Sequence, residues 1–83
     1  MTDRVAVVTG GGTGIGRGIS ELFASKGARV VVNYARSKED AEKTVHSIGA
    51  KGGAAIAVQA DVTDQEQARE LVNRAMGEFG RVD

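Results

Sequence analysis

The residues of this chain best placed to do chemistry are glycines. Six of the 12 glycines in its 83 residues fall in the run Thr9-Gly10-Gly11-Gly12-Thr13-Gly14-Ile15-Gly16-Arg17-Gly18. A β-branched segment precedes the run and an amphipathic one follows it. A turn from buried strand into helix leaves the first helical N–H groups without partners. The helix dipole adds partial positive charge at the same point. A phosphate placed there satisfies both, provided no side chain blocks its approach. Two further stretches carry polar chemistry: Asn33-Tyr34-Ala35-Arg36-Ser37, and Asp61-Val62. A guanidinium beside a hydroxyl suits a phosphate monoester.

The spacing narrows the kind of phosphate. The G-x-G-x-x-G fingerprint fails in each register, because it would require glycine at Ile15 or at Arg17. The nucleoside-triphosphate loop fails as well. Gly11 to Gly16 has its spacing, but Arg17-Gly18 stands where Lys and then Ser or Thr are required. The pattern that fits is T-G-x-x-x-G-x-G, from Thr9 through Gly16.

Elements must position these residues, and the hydrophobic pattern supplies them. Arg4 to Thr9 reads as a strand buried on both faces. Ile15, Ile19, Leu22 and Phe23 form a helical stripe that Gly27 ends. Arg29 to Tyr34 is a second buried strand. Ser37 is placed to cap a helix whose first turn holds Glu39 and Asp40, with Ala41, Val45 and Ile48 as its apolar face. Ala54 to Ala60 is a third strand. Thr63 and Glu66 have capping-box spacing before a stripe of Ala68, Leu71, Val72, Ala75, Met76 and Phe79, and Gly80 stops that helix. Met76 and Phe79 read as core. Arg81-Val82-Asp83 reads as the start of a fourth strand. This βαβαβα alternation predicts an α/β fold with a parallel sheet in the order 3-2-1, the first two helices on one face and the third on the other.

The motif resembles the short-chain dehydrogenase/reductase family. Ala60-Asp61-Val62-Thr63-Asp64 is similar to that family's D-V segment along the adenine ring. Phe79-Gly80-Arg81-Val82-Asp83 is similar to its F-G-x-x-D. The resemblance covers all 83 residues. It implies the N-terminal half of a doubly wound parallel-sheet (Rossmann) fold, with residues 1–83 forming an incomplete NAD(P)-binding domain. It further implies that Gly10 permits the sharp turn, that Gly12 passes close to the adenosine ribose and phosphate, and that Gly14 and Gly16 admit the pyrophosphate. The Ile15 N–H is then a pyrophosphate donor, with its side chain packed inward. Thr13 offers only a hydroxyl where many relatives have an Arg for a 2′-phosphate.

In dinucleotide folds an acidic residue at the end of the second strand holds the ribose hydroxyls and repels a 2′-phosphate. Tyr34, 18 residues after Gly16, and Asn33 before it are not acidic, and Arg36 and Ser37 follow. NADP(H) is therefore expected over NAD(H). The resemblance also implies hydride transfer between the cofactor and a small carbonyl or secondary alcohol. The Gly27–Ser37 stretch is most similar to 3-oxoacyl-carrier-protein reductases, whose substrate is carrier-bound, and less so to glucose dehydrogenases. The family's catalytic Ser, Tyr and Lys are not matched. Tyr34 and Lys38 have Y-x-x-x-K spacing but lie at the adenosine end. An oligomer of identical subunits is the family's usual full-length state. The competing class is a stand-alone, non-catalytic nucleotide-binding module.

Composition sets outer limits. Eleven basic residues balance 11 acidic ones, which argues against a nucleic-acid or anionic-membrane surface. Cysteine is absent and there is one His, so neither disulfides nor the usual zinc sets can form. His46 and the Glu39–Lys43 charges read as solvated helix surface. The N-terminal residues show no apolar signal segment and no run is long enough to span a bilayer, so a soluble, cytoplasmic chain is expected.

Overall fold

A computed structural model describes residues 4–10 and 14–80. Three strands alternate with three helices: β1 (Val5–Thr9), α1 (Gly14–Ser25), β2 (Arg29–Tyr34), α2 (Lys38–Ala50), β3 (Ala54–Gln59) and α3 (Gln65–Phe79). The strands form one parallel sheet in the order β1-β2-β3, as the alternation predicts. The fourth-strand expectation at 81–83 lies outside the described residues.

The central strand shows why its sequence is almost uninterrupted valine. Successive side chains point to opposite faces, and both faces of β2 are covered. Val30 and Val32 pack with Val8 and Ala41, joined by Phe23 and Ala24 of α1 and Val45 of α2. Val31 points the other way, into a cluster with Val5, Val58, Leu71 and Ala75, joined by Phe79. Helices α1 and α2 thus cover one face and α3 the other. Val30, Val31 and Val32 are fully buried, each contributing about 1.5–3 kcal/mol of transfer free energy. The Arg29 guanidinium sits 6.0 Å from the centre of the Phe79 ring, pinning the start of β2 to the end of α3.

The helices depart from the sequence reading in four places. First, α1 meets the sheet through Ser20, Phe23 and Ala24, whereas Ile15 is 84% exposed and Leu22 is 53% exposed. The inward packing expected of Ile15 is therefore incorrect. Small side chains let α1 approach the sheet closely, and β1 beneath it is an edge strand, so its large apolar side chains have nothing to lie on. Second, Met76 and Val72 of α3 are about half exposed, because the helix buries Leu71 and Ala75 instead. Third, the cap of α3 is Asp64, not Thr63: its carboxylate accepts from the Glu66 and Gln67 N–H groups. Thr63 turns back to Asp61. Fourth, Ser37 does occupy the N-cap of α2, but its hydroxyl makes no capping bond.

Candidate cofactor site

In a parallel sheet all the strands end on one side, and ligands of such folds bind outside those carboxyl ends. The register here is direct. Thr9, Asn33 and Val58 lie in one row across the sheet, with Tyr34 beside Gln59 in the next. The three polar stretches therefore emerge side by side: Gly10 after β1, Arg36 and Ser37 after β2, and Asp61 and Val62 after β3.

After β1 the backbone turns through Gly10 with φ 65°, and Gly14 opens α1 with φ 52°. L side chains rarely adopt this left-handed region. A Cβ built at either position meets no atom within 4 Å, so the turn's dihedrals require glycine there and the space in front of it is open. Gly12 and Thr13 lie outside the described residues. Ile15 and Gly16 follow in the first turn of α1. That turn carries no acidic residue, which leaves the positive end of the helix dipole uncompensated. The Ser20 hydroxyl donates to the Gly16 carbonyl at 2.9 Å. Arg17 is turned along the helix toward Glu21 at 3.6 Å. Glu21 also accepts from the Ser47 hydroxyl at 2.9 Å. That hydrogen bond, outweighing partial desolvation and aided by Lys51 and Arg17, holds its carboxyl below the usual carboxylate range.

After β2, Tyr34 is half-buried against the α1/α2 side of the core. Lys38 pairs with Glu42 at 3.7 Å along the exposed face of α2. Arg36 and Ser37 are exposed. Among the described residues Arg36 forms no ion pair.

After β3, a short network fixes the loop. The Asp61 carboxylate accepts from the Thr63 N–H at 3.0 Å and from its hydroxyl at 2.6 Å. These bonds hold the Asp61 carboxyl below its ordinary value, against desolvation, with the positive charge of Arg36 acting in the same direction. The Asp61 N–H donates to Gln67 Oε1 at 2.8 Å, and Gln67 Nε2 donates to Asp64. Val62 is 43% exposed beside it.

One residue of this edge escaped the sequence reading as anything but a non-acid. Asn33 is only 3% exposed. Its Nδ2 donates to the carbonyls of both Val58, at 3.2 Å, and Ala60, at 3.1 Å. A polar residue at the end of an otherwise apolar strand was the available signal.

The short chain dehydrogenase family profile matches residues 4–83. The chain belongs to the short-chain dehydrogenase/reductase family. It is 50% identical over its whole length to versicolorin reductase 1 of Aspergillus parasiticus, of which it spans 32%. It is 44% identical over its whole length to a short-chain dehydrogenase/reductase homolog of Bacillus subtilis, of which it spans 76%. Among solved structures, a hydroxysteroid dehydrogenase from Escherichia coli superposes with a TM-score of 0.93 at 35% identity, over 99% of this chain and 34% of that one. The chain spans 31–34% of the length of the first curated relatives it matches. The Rossmann-type βαβαβα half expected from the sequence is the fold observed.

Proposed function

We propose that residues 1–83 are the NADP(H)-binding front of a short-chain dehydrogenase/reductase that reduces a carbonyl or oxidises a secondary alcohol. When bound, the nicotinamide supplies or accepts the hydride. In this reading Gly10, Gly12, Thr13, Gly14, Ile15 and Gly16 carry the adenosine ribose and pyrophosphate over the start of α1. Asp61 and Val62 border the adenine. Tyr34, Arg36 and Ser37 border the ribose 2′ position. The site's features fit the group. The turn is glycine by necessity of its dihedrals, the helix end is uncompensated, and Arg36 and Ser37 stand exposed at the neighbouring strand end.

The observation that carries the cofactor choice is the second strand end. No carboxylate stands at Asn33 or Tyr34, and the Ser37 hydroxyl is not engaged in capping α2. A guanidinium and a hydroxyl are thus presented to a phosphate monoester. Titration of the protein with NADPH and NADH tests this. Arg36→Ala should weaken NADPH by about tenfold or more, the size of a charged hydrogen bond, and leave NADH nearly unchanged. An unchanged preference refutes the assignment. A carbonyl or secondary alcohol is the substrate class of this reading, and the similar proteins include a versicolorin reductase and a hydroxysteroid dehydrogenase. The carrier-bound 3-oxoacyl substrate suggested by the Gly27–Ser37 stretch is one member of that class. A soluble, cytoplasmic homo-oligomer belongs to the same reading.

The Bacillus homolog, of which this chain spans 76%, favours a second reading, a stand-alone nucleotide-binding module. The two readings separate on the isolated 83 residues. A module melts cooperatively and binds NADPH, whereas an enzyme front with Ile15, Leu22, Val72 and Met76 exposed binds hydrophobic dyes and melts without a sharp transition.

A further inference from the structure

The ends of β2 and β3 are tied together twice, and the ties are reciprocal. Asn33, near the end of β2, sends its side-chain amide to the Val58 and Ala60 carbonyls of the neighbouring segment. Gln59, at the end of β3, sends its side-chain amide back to the Ala35 carbonyl at 3.3 Å. Between them the Ala60 N–H donates to the Tyr34 carbonyl at 3.0 Å, which extends the strand pairing past the register. Ala35 is the residue immediately before Arg36. The backbone that launches Arg36 and Ser37 is thus tied to the end of β3 by one buried amide and one exposed amide.

Two features show that this is more than sheet cohesion. Asn33 is the one polar residue among the buried positions of β2, following three buried valines. Burying an amide is unfavourable unless its donors find partners, and here both partners belong to the segment leading into Asp61. On the other side, Gln59 is exposed and contributes little to the core, yet its bond lands on the loop and not within the strand.

We infer that Asn33 and Gln59 are positioning residues for cofactor discrimination, clamping the Arg36–Ser37 loop where it meets the 2′ position of the bound dinucleotide. The inference rests on the NADP(H) reading above. Neither side chain has to touch the cofactor. Arg36 has a long, flexible side chain, and among the described residues no ion pair restrains it. The region its guanidinium can reach is set by the backbone that carries it. Loosening that backbone lowers the share of loops aimed at a 2′-phosphate. A 2′-hydroxyl, which asks nothing of Arg36, is unaffected.

The test measures Kd for NADPH and for NADH in the intact protein by nicotinamide fluorescence, with thermal melts alongside. The proteins are wild type, Gln59→Ala and Asn33→Ala. Loss of one such hydrogen bond is expected to lower the NADPH-to-NADH affinity ratio by about three- to tenfold, with NADH binding held within about twofold. A purely structural role moves both cofactors together and leaves the ratio constant, which overturns the inference. If Asn33→Ala fails to fold, Gln59→Ala decides alone, because Gln59 is exposed. Wild-type protein that prefers NADH overturns the NADP(H) reading, and the ratio change in the variants then still reads whether the clamp couples to the 2′ position. Wild-type protein that binds neither cofactor overturns both.

Discussion

Gly10→Ala separates the turn's own needs from those of a ligand. The position has φ 65°, and a Cβ there meets nothing within 4 Å. The folded-state cost is therefore backbone strain without a clash, about 1–2 kcal/mol for an L residue in the left-handed region. Alanine also restricts the unfolded chain, which offsets about 0.4–1 kcal/mol. The net loss is about 1 kcal/mol, equivalent to a drop in Tm of about 4–8 °C for a domain of this size. The methyl group would occupy the open space in front of the turn, where the phosphate reading places the dinucleotide backbone. NADPH affinity should then fall by at least tenfold, more than the stability change can account for while the protein stays folded. Calorimetry at saturating and zero NADPH measures both quantities on one sample. Wild-type affinity in a folded Gly10→Ala protein refutes the close approach of a phosphate. A Tm drop far beyond 8 °C refutes the claim that the cost is dihedral strain alone.

Two other outcomes follow from the loop after β3. Asp64→Ala should cost about 1 kcal/mol, because its carboxylate accepts from two N–H groups at the start of α3, and chemical denaturation of Asp64→Ala beside Thr63→Ala checks the cap. A larger loss from Thr63→Ala would restore the sequence-based assignment. Asp61 titrates below its ordinary range in the folded chain, first through Thr63. Its stabilising effect is thus present above the ordinary carboxylate pKa and is lost as pH falls through the depressed folded value. Asp61→Asn should flatten the acid limb of a Tm-against-pH curve and leave its slope near neutrality unchanged, and an identical acid limb in both proteins contradicts this.

The legible parts of the fold were those that depend on local pattern. Consecutive valines at 30, 31 and 32 can be accommodated only where both sheet faces are covered, and they are. The glycine motif marks the carboxyl end of β1 because the turn through Gly10 at φ 65° favours a backbone with no Cβ, a requirement visible one residue at a time. Asn33 was not legible because its partners lie 25 and 27 residues away. Its role exists only once β3 is laid beside β2. The capping-box spacing points one residue early for α3 because Thr63 and Asp64 are both competent caps. Asp61, two residues upstream of Thr63, accepts from the Thr63 N–H and hydroxyl, and Asp64 takes the helix.

The face of α1 is the most informative miss. Apolarity at 15, 19 and 22 predicts burial, but a helix meets a nearby sheet through whichever side chains allow the closest approach. On α1 those are the small Ser20 and Ala24, with Phe23 beside them. The larger Ile15, Ile19 and Leu22 are left facing outward. The consequence is measurable in area. The chain exposes 5110 Å², whereas a folded monomer of its mass is expected to expose about 4,700 Å². Ile15, Ile19 and Leu22 on α1 and Val72 and Met76 on α3 are exposed, and β1 is an edge strand beyond which the sheet could continue and offer such side chains cover. The enzyme-front reading requires such a continuation, and the module reading has to do without it.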